Sequence, residues 1–295
     1  MNPPSEQAGP AVPGRALRTV TIVGTGLMGT SVALALRRHG VRVHLLDCDA
    51  EAAETAAEMG AGVVGSPSGA ADLVILAVPP RSIAPVLAAQ QALGAGRVYT
   101  DVGSVKGWPL VSAGALGCDL SRYVGGHPIA GSERSGPRAA SGTLFRDKPW
   151  VLTRHPGNDD ASVAAVTELI RLCGARPVAM TQAAHDRALA RTSHVPHLVS
   201  AILAATLDGA DRELLALCGA GITDATRIAA GDSALWTDIL QANACEVAAA
   251  LADVAADLTK ASQALVTGSA DLTELLRRGN AGRSALLAAR PRPGT

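Results

Sequence analysis

The chain has 295 residues, of which 26 are basic and 26 acidic, so its formal net charge is zero. Because there is no basic excess to neutralise a phosphate backbone, the composition argues against a nucleic-acid partner. Apolar residues make up 48% and charged residues 18%, which excludes a natively disordered protein, and the length predicts two domains or one large one.

The first 180 residues are predicted to form a lead-in followed by an α/β domain. Residues 1–17 contain four prolines and two glycines, which predicts a disordered segment. From 18 to 180, apolar runs alternate with helical patterns, which predicts a Rossmann-type, doubly wound and mostly parallel sheet buried on both faces. The predicted strands are 18–23, 41–46, 73–78, 97–102 and 176–180, and the predicted helices are 29–38, 50–59, 83–93 and 161–172.

Residues 181–295 contain no predicted strand and are rich in alanine and leucine, which predicts an all-helical domain. Its longest helix is expected at 239–266. Within it, apolar residues recur at spacings of four and three, as in a coiled coil: Val247, Leu251, Val254, Leu258, Ala261 and Leu265. This seam fits a core helix within one chain and equally a helix that packs on its copy in a second subunit.

A charge-free run at residues 19–36 reaches the lower length limit of a membrane span. It contains three glycines and five threonine or serine residues, which favour a strand, a turn and a helix instead. The residues before it lack the cationic start and apolar run of a signal peptide. We therefore expect no membrane span and a cytoplasmic protein.

The turn inside this run, GTGLMG at residues 24–29, has the spacing of a dinucleotide-binding loop. Gly24 permits the tight turn, Gly26 lets the backbone approach a pyrophosphate, and Gly29 lets helix and strand pack closely. Asp47 ends the second predicted strand, where its carboxylate can accept hydrogen bonds from both hydroxyls of the adenosine ribose. A 2′-phosphate would meet a like charge there, so NAD is favoured over NADP, with Asp49 as a rival for this role.

Two polar segments follow the sheet strands. DVGSVK at residues 101–106 ends a predicted strand, which puts Ser104 at the carboxyl edge of the sheet, where ligands bind. GGHPIAGSE at residues 125–133 is too polar and too broken to be predicted as core, and we expect few packing neighbours around its histidine, His127. Imidazole is the side chain best suited to accept a proton near neutral pH, so His127 is a candidate general base.

Three further candidates lie in the helical domain. His194 and His197 are three residues apart on a predicted helix and so face the same side. The spacing of a zinc motif is absent and no cysteine or carboxylate cluster supports one, so no metal is expected. Arg227 is a lone cation among small and apolar residues, and a surface ion pair with Asp224 or Asp232 would explain it equally well.

Taken together, six motifs make the chain resemble the prephenate/arogenate dehydrogenases. They are VGTGLMG, ILAVPP, DVGSVKG, GGHPIAGSE, SHVPH and TRIAAGDSALWTDILQAN. The resemblance implies a Rossmann-type domain followed by a helical dimerisation domain, and thus a homodimer with the seam at its interface. It implies NAD-dependent oxidative decarboxylation of prephenate to 4-hydroxyphenylpyruvate, or of arogenate to tyrosine.

The resemblance also implies roles for individual residues. His127 corresponds to the catalytic histidine at the substrate's ring hydroxyl, and Ser104 to the serine that positions both. Arg227 corresponds to the arginine at a substrate carboxylate. His197, His194, Ser132, Glu133 and Trp236 correspond to residues that form the substrate pocket. The expected cofactor contacts are Gly24, Thr25, Gly26, Leu27, Met28, Gly29, Asp47, Val78, Pro79 and Ser104.

Other functions remain open at this point. A dehydrogenase of 4-amino-4-deoxyprephenate would use most of the same pocket. A β-hydroxyacid dehydrogenase or a pyrroline-carboxylate-type reductase shares the layout, although the GGHPIAGSE and SHVPH segments argue against both. A non-catalytic NAD(H)-sensing dimer is the alternative outside enzymes, and NADH formation with prephenate would distinguish it from an enzyme.

Overall fold

The computed structural model describes residues 17–131 and 134–289, and within them eight strands form one sheet. The strands are β1 (Thr19–Val23), β2 (Arg42–Leu46), β3 (Val63–Val64), β4 (Ala71–Leu76), β5 (Gly96–Asp101), β6 (Tyr123–Pro128), β7 (Pro149–Thr153) and β8 (Arg176–Met180). Their order is β3-β2-β1-β4-β5-β6-β7-β8, and neighbours are parallel except β6 and β7. The predicted doubly wound, mostly parallel sheet is confirmed, with the change of winding direction between β1 and β4.

The central strands of this sheet are buried on both faces, as predicted, whereas the edge strands β3 and β8 are largely exposed. In β4, Leu73 and Ile75 belong to one core cluster, whereas Val74 and Leu76 belong to another. Successive side chains of a strand point to opposite faces, so the two clusters lie on opposite sides of the sheet. The carboxyl edge is thereby left as the place where polar groups can face a ligand.

Helices occupy the connections and the part of the chain after β8. They are α1 (Leu27–Arg37), α2 (Ala50–Glu58), α3 (Pro80–Ala92), α4 (Gly107–Ala115), α5 (Asp160–Leu172), α6 (Gln182–Leu189), α7 (Val195–Ala205), α8 (Arg212–Ala216), α9 (Ala220–Thr226), α10 (Ser233–Ala242), α11 (Ala244–Thr267) and α12 (Asp271–Ala288). Ala190–His194 forms a π-helical turn between α6 and α7. Residues 181–289 contain no strand, as predicted.

The GGHP segment is part of the sheet, which corrects the expectation of an irregular, poorly packed loop. All six residues of β6 are buried, and His127 pairs with Val151 of the antiparallel neighbour β7. Gly126 is needed at this position because a Cβ atom there would lie 2.7 Å from the carbonyl oxygen of Asp101. The glycines that suggested a loop are the residues that allow β6 to pack closely.

The structure also differs from the prediction at Leu17. Leu17, placed by the sequence in the disordered lead-in, is only 1% exposed and belongs to the core cluster around β1. Residues 1–16, which make up the rest of the predicted lead-in, lie outside the described residues.

The predicted continuous helix over 239–266 is wrong, because the chain breaks at Asn243 between α10 and α11. The side-chain amide of Asn243 donates to the carbonyl oxygen of Asp186 at 2.9 Å, and it lies 3.1 Å from Nδ1 of His194. The backbone N–H of Asn243 still donates to the carbonyl oxygen of Ile239 at 3.2 Å, but its φ of −117° and ψ of 29° end α10 there. The break is thus set by tertiary contacts and not by a helix-breaking residue in the sequence.

The chain divides into two compact units, the first ending at Ala244 and the second beginning at Cys245. Helices α6 to α10 belong to the same compact unit as the sheet. The domain boundary expected near residue 181 stays a prediction. Among the described helices, none is long and apolar enough by itself to cross a membrane. Of the described helices, only α10 and α11 taken together have the length and composition of a span.

Candidate active site

The glycine turn between β1 and α1 has the shape of a pyrophosphate cradle. Gly24 has a φ of +101°, and a Cβ atom there would lie 2.2 Å from the carbonyl oxygen of Ala77. A Cβ atom at Gly29 would lie 1.9 Å from the carbonyl oxygen of Gly24, so helix and turn touch. At Gly26 a Cβ atom would meet nothing within 4 Å and would project into open space. Gly26 therefore leaves room for a ligand at the N-terminus of α1, and the turn fits a dinucleotide.

Asp47 lies beside this turn, after the carboxyl end of β2. Its Oδ2 accepts hydrogen bonds from the backbone N–H of Thr25 at 2.5 Å and from the hydroxyl of Thr25 at 2.8 Å. Partial burial opposes ionisation, but hydrogen bonds from Asp49 and Thr25 outweigh it and lower the pKa of Asp47. Asp49 is instead the N-cap of α2, where it accepts from the N–H groups of Glu51 and Ala52. The geometry favours Asp47 over Asp49 as the ribose ligand.

One cavity of about 640 Å³ opens next to the turn, and most of the predicted site residues line it. A cavity of this size is typical of a site for a small molecule. The predicted residues on its wall are Gly26, Leu27, Met28, Val78, Pro79, Ser104, His127, His197, Arg227 and Trp236. Gly24, Thr25, Gly29 and Asp47 support the turn from outside this cavity. Ser132 and Glu133 lie outside the described residues.

His127 sits on the cavity wall with most of its ring buried. The side chain is 9% exposed, and its Nδ1 lies 2.8 Å from Nε2 of His185. Burial is the main reason why the pKa of His127 is well below its usual range, and the nearby His185, Lys106 and His194 add to the effect. The imidazole is therefore neutral at rest and able to accept a proton.

Behind His127 lies a pair that the sequence reasoning missed, His185 and Asp186 of α6. His185 Nδ1 is 2.7 Å from Oδ1 of Asp186, and the His185 ring is fully buried. Burial opposes ionisation of Asp186, yet hydrogen bonds from His185 and from the N–H groups of Gly107 and Lys106 lower its pKa overall. The only sequence signal was a His-Asp pair in an alanine-rich helix near SHVPH, which by itself has no fixed chemistry.

A buried ion pair forms the floor beneath β6. The Lys106 ammonium contacts Asp101 Oδ1 and donates to the carbonyl oxygen of Gly126 at 2.7 Å. The hydroxyl of Tyr123 donates to the other carboxylate oxygen of Asp101 at 2.7 Å. Both charges are almost completely buried, so each depends on the other for its stability. Lys106 is the last residue of the DVGSVK motif, and its role could not be predicted from the sequence.

The two predicted histidines of SHVPH have different surroundings. His197 stacks on Trp236 with ring centroids 3.5 Å apart and lines the cavity. His194 is fully buried next to Asn243, and the structure does not place it on the cavity wall. Burial lowers the pKa of His194 to about 4, despite the opposing charge of Asp186. Both rings contact Trp236 and so lie on the same side, as the spacing predicted, but only His197 lines the cavity.

Arg227 ends α9 and lines the cavity. In the described part of the chain it forms no ion pair with Asp224 or Asp232, the partners that a surface role would require. Asp232 is instead the N-cap of α10. Arg134, which the sequence reasoning did not single out, lines the same cavity. Over the described residues, no group of three or more His, Cys, Asp or Glu side chains could hold a metal ion.

The fold and the site define an NAD-dependent dehydrogenase: a cavity with a buried imidazole on its wall opens next to a glycine turn, and the turn is held by a carboxylate at the end of β2. Protein-family models agree: that of the prephenate dehydrogenase nucleotide-binding domain matches residues 32–179, and that of the prephenate dehydrogenase dimerization domain matches residues 181–278. The chain belongs to the prephenate dehydrogenase family. Its NAD dependence and its oxidoreductase class, both predicted, are confirmed.

Individual relatives cover most of the chain. The probable prephenate dehydrogenase NovF of Streptomyces niveus is 42% identical over 84% of this chain and 69% of its own length. The cyclohexadienyl dehydrogenase of Zymomonas mobilis is 32% identical over 90% of this chain and 95% of its own length. The crystal structure of A. aeolicus prephenate dehydrogenase in complex with hydroxyphenyl propionate and NAD+ has a TM-score of 0.84 and 28% identity, covering 92% of this chain and 99% of that one.

Proposed function

We propose that this enzyme oxidises and decarboxylates prephenate, with His127 as the general base. One observation carries the proposal: a neutral imidazole lies on the wall of a single cavity that also contains the Gly26 turn, Ser104 and Arg227. The relatives named as prephenate dehydrogenases support the choice of substrate. The members of this cavity match the three needs of the reaction, which are a base, a cofactor site and cations for a dianion.

His127 accepts the proton of the ring hydroxyl, and Ser104 orients that hydroxyl from the neighbouring strand end. Loss of the ring carboxylate as carbon dioxide makes the ring aromatic, which makes the overall step strongly favourable. NAD, when bound, supplies the hydride acceptor for the carbinol carbon. A positioned base contributes about 10²–10⁴-fold to the rate, and the fixed arrangement of the reacting groups lowers the barrier further.

Arg227 and Arg134 are the cations that we assign to the two substrate carboxylates. Both line the cavity, and an arginine can donate two parallel hydrogen bonds to a carboxylate in addition to its charge. The stacked His197 and Trp236 form the apolar wall on which the substrate side chain lies. Gly26, Leu27, Met28, Val78 and Pro79 would hold the cofactor, together with the carboxylate of Asp47 at the ribose.

The enzyme works as a homodimer through its helical segment, residues 181–295. The match to a family dimerization domain supports this assembly. In the second compact unit, Leu258 and Leu265 of the predicted seam are 64% and 69% exposed, and Val266 is 87% exposed. Large apolar side chains exposed along one helix are typical of a surface that a partner covers. The cytoplasmic location and the residue-181 domain boundary belong to this proposal as well.

Steady-state assays of NADH formation test the substrate. Prephenate, arogenate and 4-amino-4-deoxyprephenate would be compared with NAD and with NADP, and we expect the highest kcat/KM for prephenate with NAD. His127→Asn should lower kcat by about 10²–10⁴-fold while the NADH dissociation constant stays within about twofold. Near wild-type turnover of this variant would remove His127 from the reaction, and a preference for another substrate would correct the choice of prephenate.

A further inference from the structure

Behind the cavity, hydrogen bonds join Asp186 to His185 and His185 to His127, and the protonation of each group follows from that of Asp186. Its Oδ1 accepts from the backbone N–H of Lys106 at 2.9 Å, and its Oδ2 accepts from the N–H of Gly107 at 2.7 Å. Both donors lie at the N-terminus of α4, where backbone N–H groups stabilise negative charge. Asp186 is therefore an ionised carboxylate that can only accept hydrogen bonds.

An ionised Asp186 decides which nitrogen of His185 carries the proton. Nδ1 of His185, 2.7 Å from Asp186 Oδ1, must be the protonated donor. In a neutral imidazole the other nitrogen is then bare, so Nε2 of His185 is an acceptor. It lies 2.8 Å from Nδ1 of His127, which must in turn carry its proton there. Nε2 of His127 is left bare on the ring that lines the cavity.

We infer that His185 and Asp186 are positioning residues that keep Nε2 of His127 free to accept the substrate proton. The inference rests on the proposed role of His127 as the base. When the O–H bond of the substrate breaks and the N–H bond forms at His127 Nε2, the resulting imidazolium donates from Nδ1 to His185. The charge of Asp186 reaches it through the His185 ring, and no further reactant is needed. When loss of carbon dioxide makes the ring aromatic, the proton returns from His127 Nε2 to the product oxygen, which gives the phenol and restores the neutral imidazole.

A protonated His127 ring needs the negative charge of Asp186 for its stability. Burial disfavours an imidazolium, and the other groups that face His127 do not offset that cost. The Lys106 ammonium, before α4, carries a like charge and is already paired with Asp101 of β5. His194, in the π-helical turn, is buried and neutral. Among the described carboxylates, Asp186 is the one connected to the His127 ring by hydrogen bonds, through the ring of His185.

The protonation states can be read without cofactor or substrate. In the unliganded protein labelled with ¹⁵N-histidine, NMR long-range proton–nitrogen spectra distinguish a protonated from a bare ring nitrogen, and His127→Asn identifies the signals of residue 127. We expect His127 to carry its proton on Nδ1. In His185→Phe, which keeps a ring but has no acceptor, the proton should move to Nε2. A His127 ring already protonated at Nε2 in the wild type would overturn the inference.

Kinetics test whether His185 acts through His127. His185→Phe should lower kcat by about 10²–10⁴-fold, as expected when a base is held in the wrong tautomer. Adding it to His127→Asn should change kcat by less than about twofold, because the group through which it acts is already absent. A further loss equal to that in the single variant would mean a separate, structural role. In either case the NADH dissociation constant and the Tm show whether the fold is intact.

A conservative replacement and a control variant separate position from packing. In His185→Gln the side-chain carbonyl can still accept from Nδ1 of His127, so kcat should be at least about tenfold above that of His185→Phe, the equivalent of one hydrogen bond to a charged group. His155→Phe removes a histidine whose Nδ1 accepts only from the nearby N–H of Gly157, and it should leave kcat unchanged. Equal losses in the Gln and Phe variants would contradict the assigned acceptor.

The pH profile tests the charge of Asp186. In Asp186→Asn the carboxylate no longer favours the imidazolium, so the acid limb of the kcat profile should shift to lower pH. A lower kcat with an unshifted limb would reduce Asp186 to a structural residue. If His127→Asn is active, the proposed function fails. If His127→Asn is inactive but the pH profile, the NMR signals and the double variant contradict a role for His185 and Asp186, the proposed function stands and only their positioning role is refuted.

Discussion

Exchange of two glycines for alanine in the same turn should separate folding from cofactor binding. Gly29→Ala places a methyl group 1.9 Å from the carbonyl oxygen of Gly24 and 3.0 Å from the Cβ atom of Ala77. Gly26→Ala places the same methyl group where nothing lies within 4 Å, in the space left for a pyrophosphate. The first variant should destabilise the protein, and the second should weaken NAD binding without destabilising it.

The magnitudes follow from these contacts. At Gly29 an overlap this close with a backbone atom costs about 2–3 kcal/mol, of which the better helix propensity of alanine returns about 1 kcal/mol. At Gly26 the φ of −69° suits alanine, and the lower entropy of the unfolded chain offsets the weaker N-cap to within about 0.5 kcal/mol. The lost approach of the phosphate should raise the dissociation constant of NADH at least about tenfold, or about 1.4 kcal/mol.

Two measurements on each variant are sufficient. Urea denaturation gives the free energy of unfolding, and a fluorescence titration gives the NADH dissociation constant. Gly29→Ala should lose about 1–2 kcal/mol of stability, and its NADH affinity should fall because the turn is displaced. Wild-type affinity in a stable Gly26→Ala protein would refute the cradle, and wild-type stability of Gly29→Ala would refute the close contact of helix and turn.

Three further predictions concern charge. Arg227→Gln should raise the KM of prephenate about tenfold or more, the equivalent of a charged hydrogen bond, with kcat less affected; an unchanged KM with a lower Tm would instead indicate a structural ion pair. Asp47→Asn removes the charge that opposes a 2′-phosphate, so the ratio of kcat/KM for NADP to that for NAD should rise, and an unaltered ratio would assign the selectivity elsewhere. His194 has a pKa of about 4 in the folded protein and an ordinary value of 6.5. Between these two pH values it is neutral in the folded state but protonated in the unfolded chain. Its contribution of about 3 kcal/mol is present above pH 6.5 and is lost as the pH falls towards 4. The slope of unfolding free energy against pH should therefore flatten in His194→Phe, and an identical slope would place the titrating group elsewhere.

Local pattern was sufficient for the elements whose residues carry their own signal. β4 contains the apolar run LVIL, β1 consists of β-branched residues, and the middle of β5 is Val-Tyr-Thr. The turn at 24–29 combines three glycines with a strand before it and a helix after it. Their boundaries differ from the prediction by no more than a few residues. Because the parallel order follows from right-handed connections between successive strands, the carboxyl edge and the ligand site on it were also predictable.

Other features depend on residues far apart in the chain. β6 was missed because Gly125 and Gly126 have no side chains to show an alternating pattern, and its strand character comes from pairing with β7. The break at Asn243 was missed because the local sequence is helical on both sides and the competing contacts come from α6 and the π-helical turn. Neither feature has a signal within a single window of sequence.

The amino-acid sequence alone determines the class of chemistry, since a glycine turn, a strand-end carboxylate and a histidine in a rigid segment need only local geometry to be recognised. What the tertiary structure decides is the protonation of that histidine. His127 and His185 are separated by 58 positions along the chain, and only the docking of α6 against β6 brings Nδ1 of His127 to 2.8 Å from Nε2 of His185. A hydrogen bond has direction and a reach of about 3 Å, so the state of a buried imidazole depends on its neighbours in space and not on those in sequence.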